Sequence, residues 1–369
     1  MKKIATNLLV LLFASLLAFL LGEIVVRLFF ADQTVMFPRY HTDYRYGPYT
    51  LRGIRPNEQF THSSVDGQWE FTTNSRGLRS DRDYAYEKPA GVLRILVLGD
   101  SHTQGYEVRQ SATYAETLGR YLSKRQHKVE VLNAGVSGFG TAEQLAYLEN
   151  EGLRYQPDVV VVGFFSNDYE DNFKSGLFEL GADGVLVAKK TEHIPGVNIQ
   201  NFIYAIPGIK WLGENSHFYS LLFNTAWVYY KYFHASAGGG APREVPEYAV
   251  PTKLTYSAEE QGLAGALLKR MAQASHARGA RLLVADIPTD LDRYASESSM
   301  PPEFIQSLES AGLEVVASEP LFAPYIGSVE IHLPHGYHHI SEFSHALIGT
   351  ELGRRIAEGL APAKKDQGP

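Results

Sequence analysis

Cysteine is absent from all 369 residues. Disulfides, thiolate nucleophiles and Cys-based zinc sites are therefore excluded, as is a lipoprotein signal, and the absence suits an oxidising compartment. Positive charge is also short. Thirty-four Lys and Arg stand against 41 Asp and Glu, giving a net charge of −7 and a pI near 6.0, which argues against a nucleic-acid surface. There is no internal repeat. Charged residues make up only 20% of the chain against 44% hydrophobic, the balance of a globular protein and not a disordered one. This length holds one large domain, or one domain with a sizeable insertion.

What is present begins at the amino terminus. Met1-Lys2-Lys3 precedes an apolar run from Ile4 to Gly22, interrupted only by Thr6, Asn7 and Ser15. About 20 residues at 1.5 Å each cross a hydrocarbon core roughly 30 Å thick. A cleaved signal has a shorter apolar core followed by a small-x-small site, and Gly22-Glu23-Ile24-Val25-Val26-Arg27 offers none. The run reads as an uncleaved anchor. Lys2 and Lys3 keep its start in the cytoplasm, so the body of the chain is expected to be periplasmic or extracellular.

Residues 32–92 read as an irregular, strand-rich leader, with a strand over 68–74 after the Asp66-Gly67 turn. Its expected role is packing and spacing. Regular alternation starts at Arg94-Ile95-Leu96-Val97-Leu98, an aliphatic run of the kind buried on both faces of a parallel sheet. A helix follows over Ser111–Gln126, then a strand at Val129–Leu132 and a helix over Thr141–Tyr155 with Thr141 as its cap. A third strand runs through Val159-Val160-Val161-Val162. The pattern then breaks for about 85 residues rich in aromatics, including an amphipathic helix near 216–234. It resumes with a helix over Ser257–Arg278, a strand over 280–286, a short helix over Pro302–Ser310, a fifth strand at Leu313–Val316 and a last helix over Glu342–Leu360. Such β–α repeats describe a three-layer, doubly wound α/β sheet of five parallel strands. The domain order is an anchor (1–31), the leader (32–92), a first part of the α/β domain (93–172), the aromatic-rich insertion (173–255), a second part (256–360) and a flexible tail (361–369).

Chemistry collects at the strand ends, where open α/β sheets place it. The first strand stops at Gly99-Asp100-Ser101, with Gly105 four residues on. Alone, that stretch also fits an ordinary Asp-Ser helix cap. The second strand ends in Asn133-Ala134-Gly135-Val136-Ser137-Gly138, and the third in Ser166-Asn167-Asp168. His339-Ile340-Ser341 precedes the closing helix, with His345 six residues later. Four pieces in this order resemble the SGNH (GDSL-type) hydrolase superfamily, over roughly 93–170 and 257–360, in a membrane-anchored bacterial form.

The resemblance implies a flavodoxin-like SGNH fold and a serine esterase. Ser101 would be the nucleophile and His339 the base. The oxyanion hole would be the Ser101 and Gly138 amides with the Asn167 side chain. Gly138 read alone only permits a turn, and Asn167 only caps the next segment. Asp100 and Asp168 are expected to brace loops, and His102 to be a neighbour. Two positions depart from the family. Phe165 stands where a glycine is common two residues before Asn167. Gly336 stands three residues before His339, where the family has its acid, so the catalytic acid is unknown; some members are thought to use a Ser–His dyad. His338 competes with His339 as the base, and the spacing to His345 favours His339. The cluster of His332, His335, His338 and His339 has no supporting Asp or Cys nearby and sits in a glycine-bearing loop, so no metal is expected. No cofactor is required.

The expected substrate is an O-acyl, by preference O-acetyl, ester on an acylated carbohydrate or other small molecule, since exported members of the family often modify envelope or secreted polysaccharides. Two alternatives use the same fold. One is an O-acyltransferase passing the acyl group to a sugar hydroxyl, and the other a catalytically silent envelope-binding protein.

Overall fold

The computed structural model describes residues 2–125, 127–237, 255–335 and 339–360. Helix α1 (Lys2–Phe29) is apolar on every side, and of its side chains only Val26 is buried. Among the described residues it is the one helix long and apolar enough to cross a membrane, a property that an anchor and a signal sequence share. The leader forms two antiparallel hairpins, β1 (His41–Tyr46) with β2 (Tyr49–Ile54) and β3 (Gln59–Ser64) with β4 (Gly67–Thr72). A Val65-Asp66 turn closes the second of them, one residue ahead of the expected Asp66-Gly67 pair, and Gly67 already pairs with Ser64.

Strand β5 (Leu93–Leu98) enters the main sheet and is followed by the one-turn α2 (Ser101–Gln104) and by α3 (Tyr114–Ser123). Then come β6 (Val129–Asn133), α4 (Thr141–Asn150), β7 (Val159–Phe164) and α5 (Asp168–Ser175). The break in alternation contains more structure than one helix. It holds the hairpin β8 (Phe178–Leu180) and β9 (Leu186–Ala188), β10 (Glu192–His193), and helices α6 (Val197–Tyr204), α7 (Ile209–Asn215) and α8 (His217–Ala237). The glycine-rich and proline-bearing linker expected to close it lies outside the described residues, as does the tail. The second half comprises α9 (Ala258–His276), β11 (Arg281–Asp286), the hairpin β12 (Thr289–Asp292) and β13 (Ala295–Glu297), α10 (Pro302–Ser310), β14 (Glu314–Val316), α11 (Ser318–Phe322) and α12 (Glu342–Leu360).

The five parallel strands lie in the order β14-β11-β7-β5-β6. The chain steps from β5 outward to β6, then crosses back over β5 to β7 and continues the other way. That reversal opens a crevice at the carboxyl ends of β5, β6 and β7, the place where such sheets bind ligands. Alternate residues of each strand face opposite cores. Ile95, Val97, Val159, Val161, Leu283 and Ala285 pack beneath α3 and α12. Leu96, Leu98, Val160, Val162, Leu282 and Val284 pack beneath α4 and α9, a core that also takes in Tyr40, Leu51, Phe60 and Phe71 of the leader. Burial on both faces explains why these strands read as unbroken aliphatic runs.

Two expectations need correction. The cap of α4 is Gly140 and not Thr141, and its amide donates to the Glu143 carboxylate (3.0 Å); the helix stops at Asn150 and a separate 3₁₀ turn covers Gly152–Tyr155. Helix α3 begins only at Tyr114 because Gln110–Ala112 form their own 3₁₀ turn, leaving Thr113 to accept the Glu116 amide as the cap. Both cases are competition between turn types at helix ends, which hydrophobic spacing does not resolve.

Arg94, wholly buried at the start of β5, ties three segments together. Its Nη1 donates to the carbonyls of Ala85, Tyr86 and Tyr155, and its Nε and Nη2 to Glu130 (2.8 and 2.6 Å). Arg94→Met keeps the stem but strands those carbonyls. It should cost about 3–5 kcal/mol, seen as a lower urea midpoint at unchanged slope for the chain in detergent.

Candidate active site

The strand-to-helix turn after β5 is tight enough to dictate its residues. Gly99 takes φ +154°, and any Cβ there would run into the Thr103 side chain. Asp100 then caps α2, its Oδ1 accepting the His102 amide at 2.8 Å. Ser101 is the first residue of the helix, so its own amide has no acceptor within α2. Gly105, with φ +85°, ends the turn in the left-handed region.

Against this turn stands His339, just ahead of α12. Its Nε2 lies 2.7 Å from Ser101 Oγ. The imidazole is held between rings: Tyr106 stacks on it at 4.4 Å between centroids and His102 lies at 4.6 Å, itself resting on Phe165 at 4.2 Å. Phe165, at the family's glycine position, is therefore the floor under His102. Burial, with the charge of His339 behind it, holds His102 well below the ordinary imidazole range. His102 is thus a neutral neighbour of His339 at pH 7.

The loops after β6 and β7 flank the turn, since those strands lie on either side of β5. Asn133 Nδ2 donates to the Thr103 carbonyl (2.9 Å), and the Ser137 amide donates to Gln104 Oε1 (2.8 Å). These bonds fix the 133–138 loop to α2. Gly138 has φ +78°, and a Cβ would strike the Arg52 guanidinium, whose Nη2 donates to the Gly138 carbonyl at 2.7 Å. Here glycine is required twice, by the backbone and by the close approach. Asn167 stands three residues past the end of β7, and its Nδ2 donates to Asp171 (2.9 Å), which leaves the second amide hydrogen available. Asp168 accepts from the Phe165 amide (2.8 Å) and Thr141 Oγ1 (2.9 Å), and so ties the β7 loop to α4. Burial raises both Asp168 and Asp100, the latter to about 7.

Gly336 and His338 lie outside the described residues, and so does the family's acid position. Two carboxylates that the local sequence did not reveal do reach the neighbouring segment. Asp66, in the β3–β4 turn, accepts from the His335 amide (2.9 Å) and pairs with His335 Nδ1 (2.8 Å). Asp290 Oδ1 lies 3.8 Å from His332 Nδ1. Among the described residues no group of three or more His, Asp or Glu side chains is placed to hold a metal ion.

Sequence reasoning also passed over the leader's part in the site. Arg79 is fully buried, and it donates to the carbonyls of Gln104 (2.7 Å), Gly105 (2.5 Å) and Val108 (2.6 Å). Its guanidinium sits over the Phe71 ring. Tyr106 meets His62 of β3 edge-on, and His62 pairs with buried Glu107 at 3.2 Å. Arginines at 52 and 79 carry no local motif, so only the folded contact shows their use.

Residues 97–230 match the model of the GDSL-like Lipase/Acylhydrolase family. Over those residues the chain carries a GDSL-like domain. A search of the curated proteins finds no match. Among solved structures, a lipase/acylhydrolase from Enterococcus faecalis is 16% identical, over 74% of this chain and all of the other, at a TM-score of 0.40. A two-domain esterase active on acetylated mannans is 14% identical over 76% of this chain and 54% of its own, with a TM-score of 0.40. An acetyl xylan esterase is 11% identical over 73% of this chain and 100% of its own, with a TM-score of 0.36.

One consequence of the packing is a pH dependence. His345, on α12, is buried, and its Nδ1 accepts the Tyr114 amide at 3.0 Å. Burial pulls its pKa down to about 3, whereas an unfolded histidine titrates near 6.5. Between those values the unfolded chain binds more protons than the folded one. The stability due to neutral His345 is therefore complete above about pH 6.5 and lost as pH falls toward 3, at up to about 1.4 kcal/mol per unit. His345→Asn, which offers Oδ1 to the Tyr114 amide, should be flatter than wild type in thermal melts between about pH 6.5 and 4.5. Identical slopes would remove His345 from this role.

Proposed function

We propose that the protein is a membrane-anchored, exported serine esterase that hydrolyses O-acyl esters, with O-acetyl groups on envelope or secreted polysaccharide as the preferred class. The observation that carries this reading is the 2.7 Å bond between His339 Nε2 and Ser101 Oγ in the crevice of a GDSL-type domain. His339 takes the hydroxyl proton as Ser101 Oγ attacks the ester carbonyl. The Ser101 amide, the Gly138 amide and the Asn167 Nδ2 then receive the oxyanion. The proton passes from His339 to the departing alcohol, leaving an acyl-Ser101, which water cleaves by the same steps in reverse roles. Stacking on Tyr106 and the neutral His102 orient the imidazole. Solved structures with acetyl esterase activity in their names suggest the substrate class for testing.

Anchoring is supported by the way α1 docks. Glu23 accepts from Ser216 Oγ (2.7 Å) and from the amides of His217 (3.1 Å) and Phe218 (3.0 Å), so a residue of α1 caps the start of α8. Arg27 Nη2 donates to the Asn215 carbonyl (2.7 Å). Cleavage beyond Arg27 would strip these bonds from the folded body. With Lys2 and Lys3 inside, the domain lies on the outer side.

Ser101→Ala and His339→Ala should each lower hydrolysis of a simple acetyl ester by about 10⁴-fold or more, with thermal melts close to wild type. Full activity in either variant would remove that residue from the chemistry. Recovery of acyl groups on a sugar acceptor, in place of free acid, would favour the transferase alternative.

A further inference from the structure

The insertion carries a surface of unusual composition. Residues 197–230 include only two charged residues, Lys210 and Glu214, in a chain whose charged fraction is 20%. Lys210 is drawn to Glu58 at 2.7 Å. None of the exposed described side chains between 197 and 229 is Lys, Arg, Asp or Glu.

Each of the three helices in this stretch turns an apolar residue away from the domain. On α6, Val197 is buried and Asn201 bonds Asp43 and Arg55, while Phe202 is 73% exposed on the other side. On α7, Gly213 packs against Phe37 and Pro38, and Trp211, 63% exposed, lies on the opposite face. On α8, Tyr219, Ser220, Phe223 and Asn224 face Val35, Phe37, Pro38 and Arg39 of the leader. The spacing 218, 222, 225, 229 defines a separate stripe on α8. That stripe begins at Phe218, which meets Phe19 edge-on at 5.4 Å and covers Gly22 of α1. It continues into Leu222 and Tyr229, 60% and 70% exposed. The stripe is therefore continuous with the apolar flank of the span.

We infer that this face of α6, α7 and α8 rests in the lipid headgroup and acyl boundary of the membrane that α1 crosses, and so holds the hydrolase domain in a fixed attitude on the bilayer. The inference rests on the anchored reading proposed above. Its occupant is named by three features together: continuity with the span at Phe218, absence of exposed charge, and exposed Trp211 and Tyr229, ring types that concentrate at membrane interfaces. Glu23 and Arg27 supply the rigid joint, since they bind α7 and α8 to the last turns of α1.

The absence of native cysteine permits a direct test on the full chain. Single variants Leu12→Cys, Phe202→Cys, Trp211→Cys, Leu222→Cys and Glu309→Cys, each with an unchanged thermal melt, carry a nitroxide in vesicles of phosphatidylcholine and phosphatidylglycerol. Power saturation compares access of oxygen, which enters lipid, with that of a water-soluble nickel chelate. Positions 202, 211 and 222 should show an oxygen-to-nickel ratio several-fold above that at 309, and below that at 12. Nickel access at 202, 211 and 222 equal to that at 309, with 12 still in lipid, overturns the inference and leaves the anchor standing. Nickel access at 12 overturns the anchor and the inference with it. Spin–spin broadening at 211 that persists on dilution with lipid assigns the face to a second copy of the chain, and also overturns the proposal.

Discussion

A 2.7 Å bond joins Ser101 and His339 across 238 residues of sequence, and the rest of the architecture serves to hold those two atoms in place. A hydroxyl and an imidazole within hydrogen-bond reach are useful only if neither side chain drifts. Ser101 is fixed by a turn that Gly99, the Asp100 cap and Gly105 determine. His339 is fixed from the other side by aromatic packing, with α12 closing on α3 behind it. The doubly wound sheet supplies the crevice between them, because the path from β5 to β6 and back to β7 leaves three strand ends facing one space.

The leader changes role in this account. Read as sequence it is a spacer, yet in the fold it clamps the loops around Ser101. Arg79 collects three carbonyls from the end of α2 and the segment just after it, and Arg52 holds the Gly138 carbonyl. Asp66 grips His335, four residues ahead of His339. Burying an arginine is costly unless its donors are used, and a cluster of backbone carbonyls in loops that lack sheet partners provides that use. The same loops would otherwise carry unsatisfied acceptors.

What was legible in the sequence was whatever depends on local pattern. The five strands could be seen because burial on both faces leaves a run such as Val159-Val160-Val161-Val162 without polar residues. Ser101 and His339, which the fold brings within 2.7 Å, could be proposed because each stands at a strand or helix end in a fixed order; Gly138 and Asn167 rest on the same ground and lie on the two flanking loops. Arg52, Arg79, Tyr106 and Asp66 could not, because their partners lie far off in the chain and a single arginine or tyrosine has no periodicity. The cap at Gly140 was missed for a related reason: Thr141 is the better cap residue on propensity, and the bond from the Gly140 amide to the Glu143 carboxylate decides otherwise. The insertion was seen as aromatic, but its division into α6, α7 and α8 depends on contacts with α1 and the leader.

The central claim is that Ser101, activated by His339, forms a covalent acyl intermediate. It is tested most directly by treating the full chain with a fluorophosphonate and locating the added mass by peptide mass spectrometry. The account predicts one adduct per chain, on Ser101, lost in His339→Ala although Ser101 is still present. An unmodified Ser101 in the wild-type chain, or an adduct on another serine, would contradict it.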